Sequence, residues 1–150
     1  MILFYSKGEE KYRYLSNFYL CPLTYNGQVW PSAEHLYHGL KYANLVVREQ
    51  VRLLPTPQAA RSFRHDSYDP RFHGSRERIM HGITRMKYQQ NPELAVRLLS
   101  TGSQELVHYA PWGDTYWGVG KDRVGMNMQG RLIMEIRAEL QKGERHDCPV

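Results

Sequence analysis

The stretch Trp30-Pro31-Ser32-Ala33-Glu34-His35-Leu36-Tyr37-His38-Gly39-Leu40-Lys41-Tyr42 constrains the fold of this chain more than any other. Proline has a fixed φ and no N–H, so Pro31 suits the first turn of a helix, and Glu34 meets the positive end of the helix dipole. A helix is therefore predicted from Pro31 to about Val47. At about 100° per residue, Glu34, His38 and Lys41 fall on nearly one line while Leu36 and Leu40 form another. One face offers a carboxylate, an imidazole and an amine. On spacing alone such a face is also what a solvated stripe with an i,i+4 pair looks like. Context carries the rest: Trp30 precedes the helix, and a second aromatic and acidic cluster, Pro111-Trp112-Gly113-Asp114-Thr115-Tyr116-Trp117-Gly118, lies far downstream.

With 150 residues, 41% of them hydrophobic, the chain fits one domain around a single core. The formal charge of +5, from 20 basic and 15 acidic residues, favours anionic partners without a charged tail to concentrate it. Cys21 and Cys148 are too few for a disulfide framework or a zinc pattern, which suits a reducing compartment. The N-terminus lacks the basic and apolar regions of a secretory signal, and no apolar run approaches the length of a membrane span. Cytoplasm is the default, with no membrane partner; nothing in the sequence sets an oligomeric state.

In chain order, Ile2 to Tyr5 is a predicted strand and Lys7 to Lys11 a loop. Tyr14-Leu15-Ser16-Asn17-Phe18-Tyr19 is either a core segment with a turn or a pocket wall presenting the Asn17 amide. Asn26-Gly27 is the favoured pair for a type I′ hairpin turn leading to Trp30. Thr56 and Pro57 start a short helix reaching roughly Phe63. Arg61 to Arg76 reads as a surface loop, solvated or an arginine-bearing rim for phosphate, with Arg61, Arg64 and Arg71 the candidates. Apolar spacing predicts a helix from Arg76 to Gln90, a restart at Asn91-Pro92-Glu93 that ends by Thr101-Gly102, a strand from Glu105 to Tyr109, and a last helix from Asn127 to Gln141. Residues 144–150 are expected to fray. The glycines after Trp117 imply tight turns or close backbone approach, but neither a Walker loop nor GxGxxG is present.

Several of these segments together resemble the NADAR family, also called YbiA-like. They are Phe4-Tyr5-Ser6-Lys7, Leu15-Ser16-Asn17-Phe18, Trp30-Pro31-Ser32-Ala33-Glu34-His35 with Lys41, Asn91-Pro92, Leu98-Leu99-Ser100-Thr101-Gly102, Asp114 to Gly120, Gly125-Met126-Asn127, and Gly130 to Arg137. The resemblance covers nearly the whole chain in order. It implies an α+β fold, a compact and mostly helical domain with a small antiparallel sheet spanning 1–150. It also implies an N-glycosidase acting on ribosylated or ADP-ribosylated bases, either riboflavin-pathway intermediates or ADP-ribosyl-guanine. Carried over by motif, the catalytic residues are Glu34, Lys41 and Asp114, and the substrate-binding residues are Asn17, Phe18, Trp30, Trp117, Gly118 and Asn127. No cofactor and no metal are implied: His35 and His38 lack a third ligand at a convincing spacing. His108 departs from the family, standing where many members carry an acid, and Trp112-Gly113 lies in a variable segment; both bear on substrate identity.

The chemistry suits these residues. Breaking a ribose–base bond places positive charge on the sugar and negative charge on the base, so the site needs a carboxylate near the sugar and a proton donor at the base. Glu34 stabilises the sugar cation or activates water, and Asp114 orients the ribose or assists proton transfer. Lys41 either neutralises a phosphate as a point charge or, desolvated, attacks the anomeric carbon of a ring-opened ribose as a Schiff base. The partner is a nucleotide or an ADP-ribosylated base, and the basic balance permits a nucleic acid carrying one. The alternative, from another class, is a module that binds ADP-ribose or NAD without cleaving it.

Overall fold

A computed structural model describes residues 1–143; the tail expected to fray, 144–150, lies outside the described residues. The fold is mixed, mostly helical with two small sheets. The strands are β1 (Ile2–Phe4), β2 (Leu20–Tyr25), β3 (Gln28–Ser32) and β4 (Leu106–His108). The helices are α1 (Ala33–Gly39), α2 (Leu45–Arg52), α3 (Pro57–Ser62), α4 (Phe72–Gln90), α5 (Pro92–Leu99) and α6 (Met128–Gln141). No helix among the described residues is long and apolar enough to cross a membrane. Backbone contacts gather the described residues into two compact units, one made of 1–19 and 92–143, the other of Leu20–Asn91.

In the Leu20–Asn91 unit, β2 and β3 form the antiparallel hairpin, turned by Asn26 and Gly27 at φ 49° and 77° as a type I′ turn requires. The helix after it begins two residues later than expected. Ser32 is still paired to Leu20, so Pro31 belongs to the strand, and Ser32 caps α1 by accepting the His35 N–H at 3.1 Å. Nor does that helix reach Val47. Asn44 accepts the N–H groups of Val46 and Val47 and so starts α2 as a separate helix. Thr56 and Pro57 open α3 as their types predict. The expected surface loop up to Arg76 is shortened because α4 starts at Phe72, whose buried ring meets Tyr37 edge-on at 5.1 Å.

In the other unit the chain pairs β1 with β4 in parallel, Leu3 opposite Val107, so the molecule's second sheet is not antiparallel. A 3-10 turn at Glu10–Leu15 replaces part of the expected loop. Its Tyr14 and Leu15 are buried, and the Arg97 guanidinium lies over the Tyr14 ring at 4.2 Å. The buried Leu94, Leu98, Leu132, Ile133 and Ile136 of α5 and α6 follow the helical spacing seen in the sequence.

Two residues of the Leu20–Asn91 unit support predictions. A Cβ at Gly39 would sit 2.5 Å from the Trp30 ring, which is 1% exposed and has little room to move. Alanine favours helix over glycine by up to about 1 kcal/mol, while overpacking a core costs about 1–3 kcal/mol. Gly39→Ala is therefore expected to lower the urea midpoint; an unchanged or raised midpoint contradicts the packing described. Lys87 on α4 is fully buried, and that burial pushes its amine down to about 8. Between about 8 and the ordinary 10.5 the unfolded chain binds the extra proton, so stability attributable to Lys87 rises with pH across that window and is flat below it. Relative to Lys87→Met, the wild type should gain on the order of 3 kcal/mol from pH 8 to 10.5 in denaturant titrations. A pH-independent difference between the two proteins contradicts this.

Candidate active site

Within the Leu20–Asn91 unit, α1 carries the acid. Glu34, in its first turn, is 9% exposed, and its Oε1 accepts from His38 Nε2 at 2.8 Å. His38 is itself buried and meets Tyr37 edge-on. The line of Glu34 and His38 anticipated from spacing is thus a buried pair, not a solvated stripe. Glu34 Oε2 has no partner among the described residues. Burying a carboxylate with one partner is costly, and such groups persist where the chemistry uses them.

Lys41 lies past the helix end, its N–H bonded to the His38 carbonyl at 3.3 Å and its Nζ 5.6 Å from the Tyr37 ring centroid. Burial, reinforced by the nearby Arg64 guanidinium and opposed by Glu34, holds its amine below the ordinary lysine value. His35 sits between Ser32 and Leu54. Its Nε2 faces a carbonyl, which only accepts, so Nε2 carries the proton and Nδ1 accepts from the Ser32 hydroxyl at 2.7 Å. Both ring nitrogens are engaged by the protein, and burial holds the imidazole below the ordinary histidine value. Among the described residues no group of three His, Cys, Asp or Glu side chains is placed to hold a metal. Trp30, expected at the edge of the site, presents no open face: its ring supports α1 from beneath Gly39.

The other unit holds the remaining motif residues. Asp114 Oδ1 accepts the N–H groups of Tyr116 and Trp117, at 3.1 and 2.9 Å, which shapes the turn that presents Trp117; its other oxygen accepts no bond among the described residues. Gly118 is small because a Cβ there would fall 2.5 Å from the His108 carbonyl oxygen. Asn127, left-handed at φ 51°, spends its amide on β4, accepting from His108 N–H and donating to the Leu106 carbonyl, both at 2.9 Å. Its side chain holds the strand, and its carboxamide keeps one N–H and one lone pair that these two bonds do not use. Gln129 links two expected contacts, donating its side-chain amide to Asn17 Oδ1 at 3.2 Å and its backbone N–H to the Trp117 carbonyl at 3.0 Å. Phe18, half-buried, follows on a short turn in which its N–H donates to Ser16 Oγ. His38 stood in the sequence pattern as the partner of Glu34 without being picked as a site residue. Gln129 left no signal there.

The family model described as "NADAR domain" matches residues 3–141. A riboflavin biosynthesis protein of Vibrio vulnificus is 37% identical over 150 residues, covering 93% of this chain; the match spans only 39% of that longer protein. The N-glycosidase YbiA of Shigella sonnei is 36% identical over 143 residues, covering 93% of this chain and 88% of the relative. The NMR structure of the E. coli protein YbiA superposes with a TM-score of 0.82 at 32% identity, covering 99% of this chain and 90% of that one. The chain belongs to the NADAR domain family.

Proposed function

We propose that this chain cleaves the N-glycosidic bond between ribose and base in a ribosylated or ADP-ribosylated nucleotide-like substrate, with Glu34, Lys41 and Asp114 as the reacting groups. As a NADAR domain with relatives named N-glycosidase, the chain is an N-glycosidase; the substrate and the residue roles are the proposal. The observation that carries it is the buried Glu34, one oxygen locked to His38 and the other left for a ligand or water.

Lys41 has both features that make an amine nucleophilic near neutrality, desolvation and a second cation beside it. In the reading favoured here, the ribose opens to an imine with the base amine. The Lys41 lone pair adds to C1′, the base leaves as a neutral amine after taking up a proton, and a lysine–C1′ imine remains. Water then adds to C1′ and gives a proton to Glu34, the C1′–Nζ bond breaks, and the free sugar aldehyde departs while Lys41 recovers its proton. The net change is hydrolysis. Asp114 orients the ribose with the oxygen its turn does not use, Trp117 stacks on the base, and Asn17, held by Gln129, addresses hydroxyl or base edges.

For the finer substrate we propose a phosphorylated ribosylaminopyrimidine or an ADP-ribosylated base; a relative named for riboflavin biosynthesis and several named N-glycosidase support the first class, and the +5 charge suits either anion. A cytoplasmic setting belongs to the same reading, since such substrates are intracellular. The test is mass spectrometry of products from ribosylaminopyrimidine phosphate, NAD, ADP-ribose and ADP-ribosylated guanine in DNA. Wild type should release free base from one of them, and Glu34→Gln should lower that rate by about 10²- to 10⁴-fold with an unchanged thermal midpoint. Every substrate recovered intact would favour a binding module, and wild-type turnover in Glu34→Gln would remove Glu34 from the chemistry. Borohydride added during turnover should trap the sugar on Lys41 in wild type and not in Lys41→Met; a wild-type protein of unshifted mass counts against the covalent role.

A further inference from the structure

We propose that the segment following α3 is a nucleoside diphosphate subsite, in which the parallel rings of Phe63 and His65 stack the base and Arg64 holds the diphosphate. It rests on the reading of the substrate as an ADP-ribosylated compound and assigns that substrate's far end to residues outside the reacting group.

After α3 ends at Ser62, Phe63 is extended, φ −63° and ψ 138°. Side chains two apart on extended backbone project to the same side, and the Phe63 and His65 rings lie 7° from parallel with centroids 6.4 Å apart. Tyr42 stands edge-on to both, 5.5 Å and 89° from Phe63, 6.2 Å and 84° from His65. Being 3% exposed, Tyr42 makes a fixed floor. The backbone ties the segment down as well, through a bridge between Tyr42 and Tyr68 and the Asp69 N–H on the Lys41 carbonyl at 2.8 Å.

His65 is exposed yet held. Its Nδ1 accepts the Ser67 N–H at 3.1 Å and lies 2.8 Å from the Ser67 hydroxyl, which orients the ring and places the proton on Nε2. Ordering an exposed ring costs conformational entropy and buries little in return, as expected of a surface shaped for a ligand. Arg64 lies between the two ring residues in sequence. One guanidinium nitrogen donates to the Arg61 and Phe63 carbonyls at 2.9 and 2.8 Å, fixing the fork at the end of α3. Among the described residues Arg64 forms no ion pair, and its nearest electrostatic neighbours include the Lys41 amine, a second cation. A planar fork with no carboxylate beside a π ledge matches a base joined to a diphosphate. A single ledge, not a row of rings, fits one nucleotide and not a strand.

Calorimetric titration of the full chain separates the possibilities, with ADP, inorganic pyrophosphate and a short single-stranded oligodeoxynucleotide as probes. ADP should bind wild type and Glu34→Gln alike, about ten-fold tighter than pyrophosphate, since stacking on an aromatic residue is worth roughly that or more. His65→Ala, at an exposed position, should remove most of that advantage while leaving pyrophosphate affinity unchanged; Phe63→Leu, which keeps apolar volume without a ring, should do the same. Arg64→Ala should weaken both ligands. Equal affinity of wild type for ADP and pyrophosphate, or no change in His65→Ala, overturns the subsite. An oligodeoxynucleotide that binds as tightly as ADP overturns its assignment to a free diphosphate. Because ADP lacks the second ribose and the base attached to it, whose bond the proposed reaction cleaves, these results stand whether or not base release is observed, so the subsite and the hydrolysis can fail separately.

Discussion

The seat of Trp30 beneath Gly39 is the contact on which the acid-bearing helix depends. α1 is seven residues long, and an isolated helix of that length is not stable in water. Every one of its residues is buried, so packing and capping, not propensity, hold it. Trp30 fills the space a side chain at Gly39 would take, Ser32 caps the first turn, and His35 ties the helix to the Leu54 carbonyl. Those three ties fix the axis of a helix whose remaining polar side chains, Glu34 and His38, then bond to each other. The carboxylate's cost of burial is met by one short bond to His38, which in turn fixes which oxygen stays available.

Motif residues divide into those that build and those that remain able to react, and the division follows their hydrogen bonds. Asn127 uses both ends of its amide on β4, so a left-handed asparagine here clamps a strand whatever else its remaining N–H and lone pair do. Asp114 is intermediate: one oxygen makes the turn that carries Trp117, the other remains, so replacing Asp114 alters a loop and a candidate reacting group together. Glu34 is the clearest of the three, because its bond to His38 lies within one helix and no loop depends on it.

Local chemistry made much of this legible. Asn26-Gly27 turns its hairpin, Thr56 and Pro57 start their helix, and Glu34 meets His38 because four residues are one turn. The parts that were not legible depend on partners distant in sequence. Pro31 satisfies the rule for a first helical turn, but Ser32 pairs with Leu20, so the strand claims the proline. Asn44 carries a capping side chain that the apolar spacing through Val47 concealed. Gln129 is unremarkable by type and spacing, and matters only because α6 begins where its side chain meets Asn17, 112 residues away. The family motif located Asn17 and Trp117 without showing that Gln129 links them.

The two cations near the end of α1 raise a conflict that the order of effects resolves. If a diphosphate settles on Arg64, its negative charge offsets the guanidinium that helps hold the Lys41 amine below its ordinary value, which would make Lys41 a poorer nucleophile once substrate is bound. Burial, however, is the larger cause of that shift and Arg64 the smaller. A ligand covering the site removes further water from the amine, so the larger effect grows as the smaller one is cancelled. Glu34 acts in the opposite sense, favouring the ammonium, and it does so only while it is a carboxylate. In the proposed hydrolysis Glu34 takes a proton from water at the step that frees the lysine from the sugar, and its pull on Lys41 would fall away there, so one carboxylate would time the chemistry of an amine it does not touch.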